Sequence, residues 1–226
     1  MDGTIHELGM GNGIASDPDH ADQLTRSSES LSKQVDLDPY LTEHSDGVAL
    51  LVLAHQTHFH NLLTRAAYET RNALRDEAAV RQVLHDLGPE HTEMTQIRIK
   101  SACDPVVESL LFSQEAPLGG PVAGSTDFAR VFAAGGPRDS LGRSLRDFDL
   151  KDRLFKYPCS YLIYSEQFDS LPDQARQYIY RRLWKILTGR NDSDAFCHLS
   201  DNDREAIYQI LAETKKGLPG YWKWPR

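Results

Sequence analysis

Cysteine is scarce in this chain. Cys103, Cys159 and Cys197 stand apart in 226 residues, with no CxxC, no CxxCH and no finger spacing. That excludes a disulfide framework, a zinc finger and the usual covalent attachment of haem to this chain. Cys103 and Cys159 are most simply small core residues. Long apolar runs are missing too. Apolar residues make up 40% of the sequence, enough for a core, but none of the runs approaches the ~18 residues that a membrane span needs. The first residues, MDGTIHELGMGNG, have neither a basic start nor an apolar centre, so they do not read as a signal peptide. Positive charge is also short. The net charge is −8, and it is unevenly placed: residues 1–46 hold ten acidic and two basic side chains, while the other 180 hold 23 of each. Neither part offers a basic face for nucleic acid.

The longest patterned stretch is SDGVALLVLAHQTHFHNLLTRAAYETRNAL, residues 45–74. Val48, Leu51, Val52, Phe59, Leu62, Leu63, Ala66 and Ala73 recur at a period near 3.6, which predicts one long helix. Ser45 is the expected N-cap, and Asp46 suits the positive end of the helix dipole. The first half is apolar nearly all round, as in a helix enclosed by others. His55 falls within the apolar stripe, with His58 and His60 on its two flanks. One reading makes His55 and His58, three apart and able to meet on neighbouring turns, metal ligands. The other makes His55 a hydrogen-bonded core residue. HxxH without the glutamate of HExxH does not decide between them.

The rest of the chain fits a multi-helix, all-α, bundle-like or orthogonal domain around that helix. Residues 1–36 are polar and acidic and are expected to be a disordered tail; residues 37–226 are expected to form a single helical domain. Further helices are predicted at Asp76–Leu87, Thr92–Phe112 (with a kink or fresh start at Pro105), Ser125–Ala134, Tyr157–Phe168, Asp173–Leu187 and Asp201–Thr214. Gly189 is expected to end the fifth of these and Ser200 to cap the last. Between them lies an irregular Gly/Pro/Arg loop, GGPRDSLGRSLRDFDL. It lacks the spacing and lysine of a P-loop. Asp139, Asp147 and Asp149 are placed to neutralise Arg138, Arg143 and Arg146, which favours a wrapping loop over a phosphate site. The terminal YWKW is either a docking tail or a partner contact. No nucleophile–base pair stands out, so the residues alone name no enzymatic activity.

Several runs, taken together and in order, carry a resemblance: the histidine stretch above, SLLFSQEAPL, GPRDSLGRSLRDFDLKDRLFKYPCSYLIYSEQFDSLP, YRRLWKILTG, HLSDNDREAIYQIL and TKKGLPGYW. Over about residues 40–222 the chain resembles the C-terminal region of a family of large, uncharacterised bacterial exported proteins whose upstream part carries a c-type haem (CxxCH) motif. In that family the long helix reads HQTxxHN, so His55 and His60 match and His58 is an addition. The resemblance implies a helical module of a cytochrome-c-related protein with a redox-associated or haem-packing role. The haem would be held by an upstream domain or a partner cytochrome, with His55 and His60 near it. A non-catalytic helical scaffold is the alternative, and a metal-dependent enzyme using His55 and His58 is a third. Residues 1–35 do not match, which raises a miscalled or post-frameshift start at Met1. The chain as it stands is expected in the cytoplasm, and a fragment of the longer protein in the periplasm.

Overall fold

The computed structural model describes residues 5–6, 27–28, 46–84, 88, 91–113, 115–190 and 193–223. Apart from an antiparallel pair of two-residue strands, β1 (Ile5–His6) and β2 (Ser27–Ser28), the expected tail over residues 1–36 lies outside the described residues. Among the described residues everything else is helix, turn and loop, with one isolated antiparallel bridge between Phe148 and Phe155. Six α-helices run in chain order: α1 (Gly47–Leu84), α2 (Glu93–Leu110), α3 (Phe128–Ala134), α4 (Glu166–Asp169), α5 (Asp173–Leu187) and α6 (Asp201–Thr214), with 3₁₀ turns at Tyr161–Tyr164 and Asp194–Phe196. The fold is all-α.

The long helix is longer than its sequence pattern suggests. The two helices expected on either side of Arg75 are one, α1, of 38 residues and roughly 57 Å at 1.5 Å per residue. Its buried positions are Val48, Val52, His55, Phe59, Leu63, Ala66, Thr70, Ala73 and Glu77, each three or four residues from the last. No Gly or Pro interrupts the junction, and the buried stripe continues through it on polar residues, Thr70 and Glu77. The opposite side is exposed: Leu50 and Leu53 face solvent, so the first half of α1 is not enclosed on all sides. Ser45 lies outside the described residues; the capping acceptor seen is Asp46, which takes the N–H of Ala49 at 3.0 Å. The same carboxylate accepts from the backbone N–H and hydroxyl of Thr126, tying the start of α1 to the irregular loop. Gly124 lies so close that a Cβ there would sit 2.7 Å from an Asp46 oxygen.

α2 folds back antiparallel to α1 and continues unbroken through Pro105. α5 packs on α2, and α6 on α5. The core between them is built from Val106, Leu110, Phe168, Ile179, Leu183, Ile207 and their neighbours, and both Cys103 and Cys159 are buried in it. Local signals set the last two helices. Pro172 precedes α5, and Gly189 at φ +67° ends it in the left-handed region that glycine tolerates. Ser200 and Asp203 form a reciprocal capping box at α6. The predicted helix over Tyr157–Phe168 is instead a 3₁₀ turn followed by α4. Ser160 and Ser165 each accept a backbone N–H and start a separate turn. α3 is likewise shorter than expected, starting after Asp127 with the Thr126 hydroxyl accepting the Phe128 N–H. The end of the chain docks: Trp222 is buried, parallel to Tyr208 and edge-on to Tyr180. Trp224 lies outside the described residues.

The α1–α2 hairpin is held at its turn by Glu77. Its buried carboxylate accepts from His91 Nδ1 at 2.8 Å, from Arg81 and from the backbone N–H of Thr92. Burial alone raises its pKa, but these hydrogen bonds outweigh burial and lower it from 4.5 to about 2. A carboxylate depressed in the folded state adds stability above its unfolded pKa and loses it as pH falls through the folded one. Glu77→Gln is therefore expected to destabilise the chain at neutral pH by roughly 2 kcal/mol. The gap from wild type should narrow as pH falls from about 4.5 towards 2. Urea unfolding of both proteins at pH 7 and pH 3 checks this; an equal gap at the two values would show that Glu77 does not hold the turn through its charge.

Candidate functional site

His55 is the histidine that the fold encloses. It is 7% exposed, and its ring stacks on Phe112 with centroids 4.6 Å apart, near Phe59 and the edge of Phe155. Phe112 reaches it from a left-handed backbone, φ +54°, immediately beyond the end of α2. A bulky residue pays for that conformation with strain that surrounding contacts must offset. His55 Nε2 is 2.8 Å from Ser160 Oγ. That oxygen also accepts the N–H of Leu162, so one serine hydroxyl ties the imidazole to the start of the turn. The other ring nitrogen, Nδ1, faces Glu115 Oε1 at 3.6 Å.

The order serine, imidazole, carboxylate is that of an acyl-transfer triad. Access separates this cluster from one. Ser160 is 0% exposed, and its backbone N–H is spent on the Leu110 carbonyl at 2.7 Å, so it cannot serve an oxyanion. The cluster is a clamp. It joins α1, the end of α2 and the turn that begins at Ser160, and it gives the buried imidazole a hydrogen bond at Nε2.

The other two histidines go elsewhere. His58 is exposed and His60 half-buried, so the long helix does not bring His55 and His58 into one pocket. Among the described residues no group of three or more His, Cys, Asp or Glu side chains is placed to hold a metal ion. One nitrogen of His55 is bonded to Ser160 and the other is turned to Glu115. No described helix is long and apolar enough to cross a membrane.

The arginine loop is largely self-satisfied. Arg138 bonds both oxygens of Asp147 and the carbonyls of Ala133 and Gly142. Arg143 pairs with Asp139 and reaches Gln209 on α6. Asp149 accepts backbone N–H groups of Lys151 and Asp152 rather than an arginine side chain, and Arg146 sits against Phe132 and Tyr161. The expected local neutralisation thus holds for two of the three arginines. Between this loop and α6 lies an open groove of about 620 Å³ lined by Arg143, Arg153, Lys156, Tyr157 and Asp203. An Arg153–Asp203 ion pair at 2.8 Å crosses it, so its charges largely cancel.

No family model, no curated protein and no solved structure matches the chain. The functional reading therefore rests on the residues themselves.

Ser160 and Glu115 were not legible as partners of His55, because they lie 105 and 60 positions away on segments without periodicity. The clamp makes a measurable demand. His55→Phe leaves the ring stack but strands the Ser160 hydroxyl, and Ser160→Ala strands a buried imidazole nitrogen. Each single change is expected to cost about 1–3 kcal/mol in denaturant unfolding. The double variant removes both polar partners and should cost clearly less than the sum. Additive losses would show that the two groups do not act on each other.

Proposed function

We propose that this chain is a non-catalytic helical interaction module, with the His55 clamp as a structural element and the free end of the α1–α2 hairpin as its contact surface. One observation carries the reading. Val80, Val83 and Leu84 at the end of α1 and Met94 and Ile97 at the start of α2 are all exposed, Val83 at 76% and Met94 at 66%. Single exposed apolar residues are ordinary; five at one hairpin end mark a surface that gains by being covered. Methionine and branched aliphatic side chains adapt to an apolar partner face. The polar groups nearby, buried Glu77 and half-buried His91, are already paired, so the end offers apolar contact rather than chemistry.

A second reading keeps the redox association. It is supported by the resemblance and by His60, whose half-buried ring makes no hydrogen bond among the described residues. In that reading His60, rather than His55, lies near a haem carried by an upstream domain or a partner cytochrome.

One pair of variants separates the two. Val83→Glu with Met94→Glu alters exposed positions only and should leave unfolding stability within about 0.5 kcal/mol of wild type. It should weaken binding to the upstream haem domain or partner cytochrome at least about tenfold if the hairpin end is the contact. His60→Ala should leave that binding intact yet change the Soret band of the mixture if the imidazole lies at the haem. Unchanged binding in the glutamate variant removes the hairpin reading, and an unchanged Soret band removes His60.

A further inference from the structure

Arg146 is the arginine of the loop that lacks a carboxylate. Its Cζ lies 4.8 Å from the ring centroid of Phe132 and 5.0 Å from that of Tyr161. Those rings meet nearly at right angles, 84°, with centroids 4.9 Å apart, so the guanidinium occupies the corner between two aromatic faces. The backbone is shaped to admit it. A Cβ on Gly135 would come within 3.1 Å of an Arg146 terminal nitrogen, and one on Gly136 within 3.0 Å of its Cδ and 2.7 Å of Ser144 Oγ. The aromatic corner stabilises the cation, but it gives the five N–H donors no acceptor among the described residues. Among the described residues, no hydrogen bond or ion pair engages the guanidinium, while Arg138 and Arg143 are both spent on aspartates.

Beside it is a second unfilled group. Tyr161 is 5% exposed, and its hydroxyl is buried without a hydrogen-bond partner. Leaving such a group unmade destabilises the fold unless a partner fills it. The corner therefore holds a cation without an anion and a donor without an acceptor. The half-buried rings of Phe132 and Phe128, stacked at 5.5 Å, continue the aromatic wall.

From this corner we infer a binding site for a small carboxylate attached to a flat or apolar group, recognised by Arg146 and Tyr161 against Phe132. A carboxylate matches the planar guanidinium fork with two parallel hydrogen bonds. The local charge sets the class. With Arg138 and Arg143 neutralised, Arg146 adds a single positive charge, which suits a monoanion better than a phosphate, whose sites gather several donors. The ring wall suits a ligand with an aromatic or aliphatic body. This site is separate from the hairpin end and does not rest on the interaction reading.

Titration of the whole chain with benzoate, followed by NMR of the arginine side-chain N–H and aromatic signals, tests the inference. Benzoate is expected to produce a saturable response with a Kd in or below the millimolar range, about 1 mM. Benzyl alcohol, which lacks the charge, and inorganic phosphate, which lacks the ring, should each bind at least about tenfold more weakly. Arg146→Gln should abolish the response. Arg146→Lys, which keeps the charge and guards against a folding defect in the glutamine variant, should weaken it about five- to tenfold through loss of the fork. Tyr161→Phe should weaken it several-fold. Benzoate binding unchanged in Arg146→Gln, or equal responses to benzoate, benzyl alcohol and phosphate, would overturn the site.

Discussion

An imidazole on the buried stripe of α1, between Val52 and Phe59, brings two nitrogens into an apolar interior. Unmade, each costs as much free energy as a well-packed side chain gains. The hydrogen bond between Ser160 Oγ and His55 Nε2 meets one of these demands, and Nδ1 is turned to the Glu115 carboxylate, 3.6 Å away. Much of the structure follows from that pairing. Ser160 must sit against α1, so the chain leaving the loop is pinned there, and its hydroxyl also starts the 3₁₀ turn at Tyr161. Phe112 must turn through a left-handed conformation to close over the ring. Glu115 must follow within three residues, which sets the course of the connection out of α2. One polar contact thus fixes the relative positions of three segments that hydrophobic burial alone would leave free to slide.

Around this clamp the aromatic side chains form a continuous layer. Phe112 and Phe155 lean on His55, Phe155 meets Phe148 and Tyr161, and Phe132 reaches both Phe148 and Tyr161. Each pair adds about 0.5–1.5 kcal/mol beyond the area it buries. The loop that contributes Phe148 is closed by charge: Arg138 holds Asp147, and Arg143 holds Asp139 within a set of backbone bonds. Such partly exposed pairs contribute modestly as isolated contacts. Their effect is geometric, because they fix a Gly- and Pro-rich backbone that has no ladder of its own.

How much of this was legible in the sequence depends on where the determining contact lies. α5 and α6 were read with their observed bounds because their signals are adjacent: Pro172, Gly189, and Ser200 with Asp203. α1 was read as two helices because Thr70 and Glu77 break the apolar pattern on its buried face, and the partners that make Glu77 tolerable, His91 and Thr92, belong to the next helix. The segment from Tyr157 to Phe168 was read as one helix because Pro158 suits a first helical turn; two serine side chains, Ser160 and Ser165, accept backbone N–H groups and divide it instead. His55 was correctly placed on the buried stripe. Its partners were out of reach, since no local pattern links residue 55 to residues 115 and 160.

The contrast between His55 and Arg146 bears on how function is read from such a fold. His55 has the neighbours that catalysis needs, in the right order, yet Nε2 and the serine are bonded and the serine is sealed from solvent. A reaction there would have to break the bonds that hold three segments together. Arg146 has no catalytic neighbours and no motif, and among the described residues no carboxylate meets it: α3 and the turn at Tyr161 supply aromatic faces, and the loop supplies the glycines that admit the guanidinium. In a protein interior, completeness marks structure, because unmet hydrogen bonds are costly and a purely architectural residue has had them met. The buried, unpartnered hydroxyl of Tyr161 beside an arginine without a carboxylate is therefore a stronger indication of a ligand than the bonded serine–histidine pair, although only the latter resembles an active site.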